Sequence, residues 1–120
     1  FKGRIDRIDL LADGSGIEII DYKTGKFNQK PVLADKIQLL LYQIALTNHN
    51  PPPKKLTFYH LNHHEQGSAS FLGKADELAK VKTKLTTSAE KINQRDFKAT
   101  PNAHVCDFCD FKNICPESAC

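Results

Sequence analysis

Ile17-Glu18-Ile19-Ile20-Asp21-Tyr22-Lys23 is an apolar run that ends abruptly in two opposite charges. In an extended chain Ile17, Ile19, Asp21 and Lys23 share one face, and Glu18, Ile20 and Tyr22 the other. Apolar residues on both faces up to Asp21 mark an interior strand. Working outward, Arg4 to Ala12 reads as a strand and Asp13-Gly14-Ser15-Gly16 as a turn, so the stretch forms a hairpin. Thr24-Gly25-Lys26 ends the central strand and Pro31 marks a loop. A helix follows over about 35–48, with Ile37, Leu40, Leu41 and Ile44 at helical spacing. Asn50-Pro51-Pro52-Pro53 stops it. Strands are expected over 55–62 and 68–72. A lysine-rich helix is expected over 76–95, with Leu78, Val81, Leu85 and Ile92 inward.

Asp21 and Lys23 project together, about 6.5–7 Å apart along the strand. If Ala12 opposes Ile17, Asp6 lies opposite Lys23 and Ile8 opposite Asp21, which gathers Asp6, Asp21 and Lys23 and sends Asp9 to the other face. A one-residue slip would exchange Asp6 and Asp9. Two facing carboxylates near a core cost free energy unless a cation sits between them. A divalent ion suits them, because Mg²⁺ takes one or two carboxylates plus waters and phosphate oxygens. The plainer alternative is a surface salt bridge on an ordinary hairpin.

Composition sets bounds. The chain has 120 residues, 40% hydrophobic and 26% charged, enough for one core in a soluble globular domain. The longest apolar run, Ile37 to Leu46, is broken by Gln38, Tyr42 and Gln43, well short of the roughly 20 residues of a membrane span. Net charge is +3, compatible with a polyanionic partner. No methionine is present and Phe1 opens directly on a strand-like segment, so the expectation is a piece of a longer protein.

All four cysteines fall at the end, as Cys106-x2-Cys109-x5-Cys115-x4-Cys120. A cytoplasmic setting keeps such thiols reduced and favours a ligand set over disulfides. Four local cysteines can make a zinc site. Residues 1–99 and 100–120 are therefore treated as a core and a Cys-rich segment. Among the histidines, His63-His64 reads as a solvated tip. Lys80 and Lys84 share a helix face that could track phosphates, or simply meet solvent.

Gly3-Arg4-Ile5-Asp6-Arg7-Ile8-Asp9, Ile20-Asp21-Tyr22-Lys23-Thr24-Gly25 and Gln38-Leu39-Leu40-Leu41-Tyr42 together strongly resemble the PD-(D/E)XK nuclease superfamily. Within it they are most similar to the RecB-family exonuclease branch, including AddB-type helicase–nucleases. The resemblance implies a restriction-endonuclease-like α/β fold, a mixed central β-sheet flanked by helices. It implies Mg²⁺- or Mn²⁺-dependent hydrolysis of DNA, in recombination or repair, with a helicase domain or subunit as partner. It assigns metal binding and water activation to Asp6, Asp21 and Lys23, and places Gln38 and Tyr42 at the site or against DNA. Read alone, Gln38 could close a capping box with Asp35, and Tyr42 could be a packing residue. The family's first motif, an upstream helix, has no counterpart here. Cys106, Cys109 and Cys115-Pro116 resemble three ligands of the family's 4Fe–4S staple, whose fourth ligand the resemblance places far upstream, before the first motif, with Cys120 as the alternative. The alternatives are a DNA-binding module that no longer cuts, or a zinc-stabilised interaction domain.

Overall fold

The computed structural model describes residues 2–63 and 67–119. Four strands form one mixed sheet in the order β1 (Arg7–Leu10), β2 (Ile17–Lys23), β3 (Pro53–His60), β4 (Ser68–Phe71). The outer pairs β1/β2 and β3/β4 are antiparallel, and the central pair β2/β3 is parallel. A parallel pair needs a crossover, supplied by α1 (Leu33–Ala45). α2 (Ala75–Asn93) and the short α3 (Ala103–Asp107) follow β4. This is the expected mixed-sheet α/β fold, and β2 occupies the interior position that its two apolar faces require.

The hairpin register differs from the expected one. Leu10, not Ala12, opposes Ile17, and Ile8 opposes Ile19. The turn is longer than Asp13–Gly16: Leu11 donates to the Gly16 carbonyl, and Gly14 takes a positive φ of 68°, a conformation that suits glycine. The difference is two residues, so every side chain keeps its face. One step beyond Arg7↔Ile20, Asp6 comes level with Asp21 rather than Lys23.

Ile17 and Ile19 of β2, Leu56 and Phe58 of β3, Leu39 and Leu40 of α1 and Val81 of α2 form the core. Ile19, Leu39, Leu40 and Leu56 are fully buried. α1 and the first turns of α2 thus cover the same sheet face. Gln43 of α1 ties that helix to the loop before α2 through both backbone groups of Gly73. The opposite face is polar and aromatic, with Tyr22 edge-on to Tyr59 and Arg7 donating to the Tyr22 hydroxyl.

Two expected boundaries move, and one residue expected inward does not turn inward. α1 begins two residues earlier because Asp35 is not its cap: it sits in the first turn and accepts the Val32 N–H. The capping box proposed between Asp35 and Gln38 therefore does not form, and Gln38 is left to reach elsewhere. β3 starts at Pro53, the first-residue position that proline tolerates. Ile92, expected inward, is 57% exposed, and in α2 only Val81 is buried. Contacts divide the chain into two compact units, Phe1–Leu85 and Thr86–Cys120, with the boundary inside α2.

Candidate active site

The site forms where β2 runs out of apolar residues. Asp21 faces the core side and is 4% exposed. Its Oδ2 lies 2.6 Å from Lys23 Nζ, and apart from this ion pair that buried oxygen has no hydrogen-bond partner. Such pairing two residues apart follows from the strand period, which puts both side chains on one face.

Lys23 is held from two further sides. Its Nζ donates to Gln38 Oε1 at 3.3 Å and stands 5.4 Å above the Phe58 ring, within the range of a cation–π contact. Gln38 Nε2 donates to the Tyr42 hydroxyl at 3.3 Å, and that hydroxyl donates to the Arg4 carbonyl at 2.5 Å. Gln38 and Tyr42 meet because residues four apart share a helix face. The result is one line of contacts: Asp21, Lys23, Gln38, Tyr42 and the Arg4 carbonyl. Gly3 lies beneath the end of that line, where a Cβ would stand 3.0 Å from the Tyr42 ring. The glycine lets the aromatic ring close on the strand.

Asp6 joins through the backbone. Its Oδ2 accepts the Tyr22 N–H at 3.0 Å, the amide between Asp21 and Lys23. Asp9 faces away, opposite Glu18, and is bound by Arg7 at 2.7–2.8 Å. The structure therefore brings Asp6, Asp21, Lys23, Gln38 and Tyr42 together and leaves Asp9 out.

Pattern reading missed three contributors. Phe58 and His60 lie beside Asp21 and Lys23 in the parallel ladder, and period-two reading of β3 with that register would have found them. Gly3 belongs to the first motif, but its packing under Tyr42 depends on a contact with α1 that strand spacing does not show.

The carboxylate pair fits a hard divalent cation. Asp6 and Asp21 offer oxygen donors, one of them buried and short of partners, and Mg²⁺ completes its shell with water and phosphate. Among the described residues no three His, Cys, Asp or Glu side chains are grouped to hold a metal ion by themselves. That bears on the cysteines. Cys106 and Cys109 flank a tight turn in which the Cys109 N–H bonds the Cys106 carbonyl, and Cys115 closes a later turn on Phe111. The three are half-buried. Cys120, the fourth cysteine of the expected zinc set, and His64 lie outside the described residues.

A family model described as the PD-(D/E)XK nuclease superfamily matches residues 1–116. The chain belongs to the PD-(D/E)XK nuclease superfamily. No curated protein and no solved structure matches it. In the structure Asp21 and Lys23 stand on β2, Asp6 immediately precedes β1, and Gln38 and Tyr42 stand on the crossover helix α1. Among the described residues, no helix is long and apolar enough to cross a membrane.

Proposed function

We propose that this chain is the catalytic core of a metal-dependent deoxyribonuclease, with Asp6, Asp21 and Lys23 as its centre and Gln38 and Tyr42 in support. The observation that carries the reading is the line of contacts from buried Asp21 through Lys23 and Gln38 to Tyr42. A fold selected for stability alone gains little from a buried carboxylate whose Oδ2 has only a neighbouring ammonium.

Asp6 and Asp21 would hold a Mg²⁺ or Mn²⁺ ion, which when bound polarises the scissile phosphate and makes a coordinated water more acidic. Lys23 has three N–H donors, of which Gln38 and Asp21 take two. The third is free to orient the attacking water or to offset charge on the phosphate as it reacts. Gln38 fixes the ammonium, Tyr42 fixes Gln38, and the Arg4 carbonyl fixes Tyr42.

The likeness of the motif set to the RecB-family branch supports exonucleolytic digestion of DNA in recombination or repair, with a helicase domain or subunit as partner in the cytoplasm. Residues 1–99 would be the nuclease core and 100–120 a Cys-bearing segment on which no catalytic step depends. The test is a Mg²⁺ and Mn²⁺ titration of linear-DNA cleavage by the full-length protein beside Asp21→Ala. Metal-dependent cutting lost in the variant supports the reading. Cutting that survives moves the chemistry elsewhere, and binding without cutting by either protein favours the module that no longer cuts.

A further inference from the structure

Past Lys23 the site opens into a pocket of about 410 Å³, within the range of small-ligand sites. Its walls come from the β2–α1 loop (Gly25, Lys26, Asn28), the first turn of α1 (Asp35) and β3 (Phe58, His60), with Lys23 on the rim it shares with the active site.

His60 gives the pocket its chemistry. The side chain is 6% exposed, and its Nδ1 is buried with no hydrogen-bond partner. Buried polar atoms in native proteins are nearly always paired, so an unpaired one asks for an explanation. The ring is held edge-on by Phe27, with centroids 5.2 Å apart, a contact that positions the imidazole and leaves its nitrogen unsatisfied. Lys26 is exposed, and among the described residues no carboxylate pairs with it. The one carboxylate in the wall, Asp35, is already engaged by the Val32 N–H and the Asn28 amide. Lys23 is already paired with Asp21, so Lys26 is the ammonium in the wall left to meet an anion.

We infer that this pocket is a phosphate subsite: it holds a phosphate of the nucleic-acid strand other than the one being cut, with Lys26 as the cation and His60 as the buried hydrogen-bonding wall. The inference rests on the nuclease reading above. Placement agrees with it, because His60 neighbours Lys23 across the parallel ladder, about 4.8 Å away. Successive nucleotides of a strand rise about 3.4 Å, so a phosphate one or two steps from the scissile one reaches the pocket. An internal phosphodiester and a terminal phosphomonoester present the same chemistry there.

The experiment is fluorescence anisotropy of two single-stranded oligonucleotides, one with a 5′-phosphate and one with a 5′-hydroxyl, titrated with salt in EDTA to prevent cutting. Lys26→Ala should weaken binding and reduce the slope of log K against log salt by about 0.7, the loss of one single-strand phosphate contact. Gly25→Leu should weaken binding by filling the mouth of the pocket, and it should fold, since a Cβ there meets nothing within 4 Å. His60→Phe should weaken binding without lowering the melting temperature, because Nδ1 makes no hydrogen bond to lose. A loss confined to the 5′-phosphorylated strand assigns the terminal monoester, and an equal loss for both assigns an internal diester. Unchanged affinity and slope in Lys26→Ala and Gly25→Leu overturn the subsite. That result leaves the nuclease reading standing if Asp21→Ala still abolishes cleavage, whereas a wild-type protein that neither binds nor cuts DNA overturns both.

Discussion

Asp21 is a buried carboxylate with an ammonium at 2.6 Å, and its partner Lys23 keeps 39% of its side chain in solvent. Removing one member of a fully buried pair is severe, but here the lysine can turn toward water. Asp21→Asn is therefore expected to change stability by no more than about 1 kcal/mol while abolishing cleavage, checked by thermal denaturation beside a DNA-cutting assay. Millimolar Mg²⁺ should raise the melting temperature of the wild type and leave that of the variant unmoved, because only a state that binds the ligand gains from it. Tyr42→Phe removes the hydroxyl that joins Gln38 to the Arg4 carbonyl. It should cut cleavage about tenfold or more, as loss of an orienting group does, with DNA binding retained. At this scale the charged members were legible, since period two alone sets Asp21 beside Lys23. Phe58 and His60 were not, because their place depends on a parallel pairing separated by the whole crossover helix.

Helix α1 does two jobs with one stretch. Leu39 and Leu40 are fully buried against β2 and β3, and Gln38 and Tyr42, on an adjacent face, carry the contacts of the site. Leu40→Ala should cost about 2–5 kcal/mol in chemical denaturation and reduce cleavage by disordering the helix that fixes Lys23. α2 is anchored differently. The Glu77 carboxylate accepts the Lys74 N–H at the helix start and the Lys36 ammonium from α1, each at 3.1 Å. Those contacts hold it below the usual carboxylate range, the backbone hydrogen bond contributing most. A depressed folded-state value stabilises the protein above the unfolded value and is lost as pH falls through the folded one. Glu77→Gln should therefore be less stable than wild type at pH 7, and the two denaturation curves should converge as pH falls below about 4. The period of α1 was readable, but its start was not, since an acidic residue serves a helix equally at the cap or in the first turn. Ile92 shows the opposite limit: helical spacing says which residues share a face, not how far along the helix a core extends.

For the molecule as a whole, the order of elements followed from pattern, and the mixed sheet from the resemblance of the motif set. The hairpin register did not, because it is set by the length of the turn. The prediction survived a two-residue error in that length only because the error was even. An odd one would have gathered Asp9 in place of Asp6. The cysteines mark what spacing cannot supply. Their sequence positions suit a ligand set, yet the described thiols sit in separate turns. The fully buried core residues Ile19, Leu39, Leu40 and Leu56 all precede the Cys-rich segment. Replacing Cys106 and Cys109 together with serine should thus leave metal-dependent cleavage within about twofold of wild type, a difference of roughly 0.4 kcal/mol in barrier, measured at saturating Mg²⁺.

The contact between Lys23 and Asp21 carries one more consequence. The ammonium stands where a cation would be welcomed, so the protein supplies its own placeholder. A metal ion arriving alone must evict that tenant, and its affinity is lowered by the strength of the grip. A phosphate arriving with it changes the exchange, since the displaced lysine then has an anion to turn to. Metal and DNA should consequently bind in concert, each improving the other's hold, and the protein at rest stays folded and electrically quiet until both arrive.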